Sequence, residues 1–219
     1  MPAVPRPRGL PFRIPTWAWK WLKWRTGKPK PKPKPEPQPA PKPPVKMVMF
    51  DDVTVSLIPR NAEAVAGYSD GHYQTWKQIL KDFPDAKHLQ IAVFGQDNGD
   101  CLDVEPGDAS IAQAAAWVKR QLAGWSKKHH DVSLPVVYTS SSWAQNLVDE
   151  LSKSGLKQGK HYLLWTAHYD PALGEHLCSS KCGFGLRTTA DATQFTDHAL
   201  NRSLDESICS PGFFLSQPV

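Results

Sequence analysis

From Met47 onward, short apolar runs alternate with amphipathic stretches. Residues 48–53, 64–68, 89–94, 102–105, 134–139, 162–167 and 192–196 each read as a strand of four to six residues. Between several of them the apolar spacing changes to that of a helix. Thr75 precedes Trp76, Ile79 and Leu80, a stretch that ends before Pro84. Ser110 starts a long helix in which Ala114, Trp117, Val118 and Leu122 share a face. Ser142 caps another, with Trp143, Leu147, Val148 and Leu151 on one side and Gly155 as its stop. Strands separated by such helices predict parallel pairing through right-handed crossovers. The expected fold class is therefore α/β. A doubly wound sheet and a barrel both fit this pattern; no phosphate-binding loop appears, and residues 47–219 are short for a full eightfold barrel, which favours a degenerate TIM-type (β/α) barrel with several helices missing.

The first 46 residues follow no such pattern. They hold 12 of the 26 Lys and Arg, one acidic residue (Glu36) and 14 of the 21 prolines, a net +11. The remainder is net −6, so a basic, Pro-rich, disordered arm (1–46) is expected on an acidic folded domain (47–219). Residues 28–44 read KPKPKPKPEPQPAPKPP, an extended spacer reaching on the order of 50 Å. Ahead of it, Trp17, Trp21 and Trp24 fall on one helical face, with Lys20 and Lys23 off it. That segment and its lysines, residues 17–34, suit an anionic wall polymer or a membrane surface, or docking on the protein itself. No apolar run has the length of a membrane span, and no signal peptide is seen. A net-acidic domain argues against nucleic acid as partner.

The candidate chemistry lies in Asp100-Cys101-Leu102-Asp103-Val104-Glu105-Pro106-Gly107-Asp108. On a strand, Asp103 and Glu105 point to one side and Leu102 and Val104 to the other. Pro106-Gly107 ends the strand, which places both carboxylates at its C-terminal end, where barrel sites are built. Two close carboxyl groups raise each other's pKa, and one can stay protonated as a general acid. A solvated acidic turn or a cation site would use the same residues. Asp51 and Asp52 end the first strand and add to the acidic cluster. Gly183-Phe184-Gly185 fits no phosphate-binding loop, and Ser140-Ser141-Ser142 lacks the context of a serine nucleophile.

Five motifs in order give the domain a resemblance. Met49-Phe50-Asp51, Asp103-Val104-Glu105, the run Pro135 to Ser140 with Trp143, Leu164-Trp165-Thr166-Ala167-His168-Tyr169, and Gln194-Phe195-Thr196-Asp197 with Asp205 together resemble the GH25 family of lysozyme-type muramidases, and its actinobacterial and phage glycoside-hydrolase-like branch. The resemblance implies a peptidoglycan-directed glycosidase, a phage lysin among the options, that cleaves β-1,4 bonds. It implies Glu105 as proton donor, Asp103 as its partner, and Asp51 and Asp205 as further acids of the catalytic set. Tyr138, Trp165, Tyr169, Gln194 and Phe195 would bind the glycan, the aromatics through flat apolar faces that would otherwise be core. It implies bacterial cell-wall glycan as partner, an extracellular, wall-associated or virion-borne location, and neither cofactor nor metal.

The domain departs from the family at three places. Asp51-Asp52-Val53-Thr54 replaces its usual opening, residues 89–95 replace a K-x-x-E-G strand, and Thr193 stands where the family has Trp. The alternative reading is a catalytically inactive glycan-binding or virion-structural domain.

Four cysteines, Cys101, Cys178, Cys182 and Cys209, allow two disulfides in three connectivities. His168, His176, Cys178 and Cys182 fit no common zinc finger by spacing, which favours a local Cys178–Cys182 bridge, with Cys101 then pairing Cys209. His129-His130 reads as a solvated loop.

Overall fold

The apolar runs form strands because both of their faces are buried. The computed structural model describes residues 46–128 and 130–216. The arm, its Trp-rich segment and the spacer therefore lie outside the described residues. Eight strands close into a barrel in chain order: β1 Met47–Asp51, β2 Ala64–Tyr68, β3 Lys87–Ala92, β4 Cys101–Asp103, β5 Val136–Ser140, β6 Leu163–Ala167, β7 Ala192–Thr196 and β8 Asp205–Cys209. β1 to β7 pair in parallel. β8 runs antiparallel to both β7 and β1. The seven strands expected from the sequence thus pair in parallel as expected, and an eighth strand that was not expected, β8, makes the barrel mixed.

Among the described residues, three α-helices accompany the strands: α1 Trp76–Asp82 after β2, α2 Ile111–Gly124 after β4, and α3 Ser141–Lys153 after β5. The other connections are loops and short 3-10 turns, so the crossovers are as depleted as the domain's length predicts. Gln113 accepts from the Ser110 backbone N–H at 2.8 Å, which anchors the start of α2. α3 starts two residues before the predicted position, with Ser140 in place of Ser142 as its N-cap.

The alternation along each strand divides the core in two. Inward residues Met49, Ala66, Leu89, Ile91, Cys101, Val136, Trp165, Ala192 and Cys209 fill the barrel. Outward residues Leu102, Val104, Val137 and Leu164 pack on Trp117 and Val118 of α2 and Leu147 and Leu151 of α3. Val65 packs on Ile79 of α1. A side chain at Gly67 would meet Ile79 at 2.7 Å, so the approach of α1 to β2 requires glycine there. Trp117 is fully buried, and its indole N–H donates to Asp97 O at 2.9 Å. Trp117→Ala is expected to destabilise the domain by about 3–5 kcal/mol in urea denaturation.

The N-terminal end of the barrel is sealed. Phe213, Phe214 and Val132 belong to the interior cluster, and Val132 bridges Phe214. Lys87 Nζ lies 3.2 Å from Asp131. Asp100 accepts from Gln90 N at 3.0 Å and lies 2.5 Å from His130 Nδ1. His130 stacks on Trp125 at 3.7 Å. It is thus a packed, half-buried residue, not a solvated one, because Asp100 and Trp125 give both its nitrogen and its ring a partner.

All four cysteines are free thiols. The expected Cys101–Cys209 bridge is not formed: the two residues sit on β4 and β8, four strands apart around an eight-strand ring. The expected Cys178–Cys182 bridge is not formed either.

Candidate active site

Strand polarity decides where the acids gather. The parallel strands end together, and Asp51, Tyr68 and Asp103 are the last residues of β1, β2 and β4. β8 runs the other way, so its first residue, Asp205, lies at the same end and pairs with Asp51. The turn after β4 then lifts Glu105 above Asp103. Asp108 N donates to Glu105 O at 3.0 Å across Pro106-Gly107, and Gly107 has a φ of +105°. Proline followed by a positive-φ glycine suits a type II turn. Val104 faces outward into the helix layer, fixing Glu105 on the inner side.

The environment of these carboxyls favours their neutral forms. Burial drives Asp51 well above its ordinary range, with Asp205, Asp52 and Asp103 adding repulsion. Burial, then Glu105 and Asp108, push Asp103 up to about 8. Glu105 is raised by burial and then by Asp108. Asp205 rises to about 6 through burial, against an opposing hydrogen bond from Gln194. One oxygen each of Asp51 and Asp103 is buried without a hydrogen-bond partner among the described residues. Such atoms carry a desolvation cost unless a ligand or water meets them.

Gln194 ties the other wall together. Tyr138 Oη donates to Gln194 Oε1 at 2.9 Å, and Gln194 Nε2 donates to Tyr169 Oη at 2.7 Å. Gln194→Leu is expected to raise the Asp205 pKa, read by carboxyl ¹³C NMR titration. An unmoved titration would remove Gln194 from the control of that acid.

The predicted aromatics divide. Tyr169 is 47% exposed at the rim, and Tyr138 is half-buried beside it. Trp165 is sealed in the barrel, its indole N–H donating to Ser207 Oγ at 3.0 Å and its ring 4.5 Å from Tyr138. It supports the floor and offers no open face. Phe195 is half-buried where a bulge shifts register between Gln194 and Thr196, away from the hydrogen-bonded set.

Sequence reasoning missed Tyr68, whose hydroxyl is raised by burial and then by Asp51, Asp103 and Asp205. Its place at the end of a predicted strand was the available signal. Tyr73 and Phe94 are exposed on the loops that follow β2 and β3. A cleft of about 240 Å³ opens beside the acids, with Asp52, Leu57, Tyr68, Asp197 and Asp205 among its walls.

Set against protein-family models, curated proteins and solved structures, the chain finds no match.

Proposed function

We propose that the domain is a lysozyme-like glycoside hydrolase, built on a degenerate TIM-type barrel and acting on β-1,4-linked cell-wall glycan. One observation carries this reading: Asp51, Asp103, Glu105 and Asp205 converge at the C-terminal mouth of the barrel with raised pKa values. Acid-catalysed glycoside cleavage needs one carboxyl that keeps a proton and another that carries charge.

Glu105 is the proton donor. It is the acid at the lip, half-buried and raised, so it is within reach of a bridging oxygen. Its proton passes to that oxygen as the anomeric C–O bond breaks. Asp205, at about 6, is ionised at neutral pH and faces the positive charge that develops on the sugar. Asp103, at about 8, is still protonated there and donates a hydrogen bond. Water then adds to the anomeric carbon and returns a proton to Glu105. Tyr169 and Tyr138 supply the aromatic edge for the sugar rings. The basic arm, through residues 17–34, holds the enzyme at an anionic wall or membrane surface outside the cell.

The test is incubation of the full chain with purified peptidoglycan, measuring reducing ends and co-sedimentation together. Release of reducing ends supports the glycosidase. Sedimentation without release identifies a glycan-binding barrel that has no turnover.

A further inference from the structure

The crossover from β6 to β7, residues 168–191, has no α-helix; its one regular piece is the 3-10 turn Ser180–Cys182. A connection of this length without helix or strand is uncommon in a folded domain and needs some other staple. Three of its side chains meet. One nitrogen of His168 and the sulfurs of Cys178 and Cys182 all lie within 4.8 Å of one another. We propose that His168, Cys178 and Cys182 form a binding site for a borderline-soft divalent ion of the zinc class, which pins this crossover beside the barrel mouth.

The backbone holds each ligand in place independently of an ion. His168 directly follows β6, and its N–H donates to Gln194 O at 2.9 Å. Cys178 N donates to Thr193 Oγ1 at 2.8 Å, and Cys178 O accepts from Ala190 N at 2.8 Å. Cys182 ends the 3-10 turn and is followed by Gly183 at a φ of +80°. Its sulfur also receives the Ser179 N–H at 3.3 Å.

The histidines carry the second argument. His176 Nδ1 lies 2.7 Å from Gly174 O, and a carbonyl only accepts, so Nδ1 is the protonated nitrogen. His176 Nε2 is then an acceptor, and His168 Nδ1, at 2.8 Å, donates to it. Nε2 of His168 is left with its lone pair free. A metal-ligating histidine commonly donates its other ring N–H to such an outer partner, which fixes the tautomer. His176 is therefore a positioning residue, and Phe184, 4.9 Å from the His168 ring, packs against it.

Tetrahedral zinc would hold these three atoms roughly 3.5–3.8 Å apart, so the observed spread closes by about 1 Å. Two thiolates and an imidazole select zinc over magnesium or calcium. Water takes the fourth position. Binding displaces two thiol protons. His168 precedes Tyr169 directly, so the ion fixes the base of the rim tyrosine. The site does not depend on the glycosidase reading.

The test is metal content of the full chain, purified under reducing conditions without chelator, followed by Co²⁺ addition to the metal-stripped protein. The proposal expects one zinc per chain and a sulfur-to-cobalt charge-transfer absorption in the wild type. Cys178→Ser, Cys182→Ser and His168→Ala should each lose both, and His176→Ala should keep the stoichiometry with affinity weakened about 10- to 100-fold. A Cys178–Cys182 disulfide in the isolated protein overturns it. So does a wild type that takes up neither metal, a result independent of any variant's folding.

Discussion

Glu105→Gln is expected to lower reducing-end release from peptidoglycan by about 10²- to 10⁴-fold, the usual contribution of a positioned general acid. The substitution keeps the shape of the side chain and removes its transferable proton. Glu105 is only half-buried and its turn is built from backbone, Pro106 and Gly107, so the fold should persist. Co-sedimentation with walls should be unchanged, which places the loss in kcat and not in KM. The pH profile gives a further readout. Glu105 must hold its proton to act, and burial raises its pKa, so wild-type activity should fall as pH rises through that raised value. Glu105 is also the second cause of the high pKa of Asp103, which should therefore drop in the variant. Unchanged release would end the assignment of Glu105 as the acid.

The second large effect is on stability. Asp103 keeps its proton in the barrel up to about pH 8, whereas in the unfolded chain it ionises near its ordinary 3.8. Between those values the unfolded chain binds fewer protons than the folded one, so stability falls as pH rises. The contribution is fully present below about 4 and gone above about 8. Its size is on the order of 5 kcal/mol, from the shift alone. Asp205, raised to about 6, adds a smaller loss of the same sign. Urea midpoints from pH 4 to 8 should decline accordingly. Asp103→Asn should flatten the decline and stabilise the domain at neutral pH, while removing the hydrogen-bond donor from the proposed reaction. Midpoints that stay level or climb over this range would contradict the buried, neutral state of Asp103. A gain in stability on losing Asp103 is the trade-off expected if its carboxyl is held among other acids for the proposed function.

The alternation of runs such as Met47–Asp51, Ala64–Tyr68 and Leu163–Ala167 with the helical stripes of α2 and α3 was sufficient for an α/β fold with parallel strands, because burial on two faces leaves a mark on local sequence, but that pattern fits a doubly wound sheet as well as a barrel. The side shared by Asp103 and Glu105 was legible for the same reason, since strand periodicity is local. β8 was not legible. Asp205-Glu206-Ser207-Ile208-Cys209 is polar where a strand is usually apolar, and it forms because β1 and β7 offer unpaired edges that it closes. Its antiparallel direction brings Asp205 to Asp51, across more than 150 residues of chain.

Trp165 shows the opposite limit: an aromatic in a sugar-binding pattern became barrel floor once Ser207 took its N–H. The grouping of His168, Cys178 and Cys182 follows from a crossover folded back on β7, which residue spacing alone does not encode. Local pattern thus determined the elements, their faces and the acidic strand end, since each depends on neighbours a few residues away. Tertiary closure decided the last strand, the meeting of the four acids, the state of the cysteines and which aromatics remain open, since each depends on atoms brought together from distant parts of the chain.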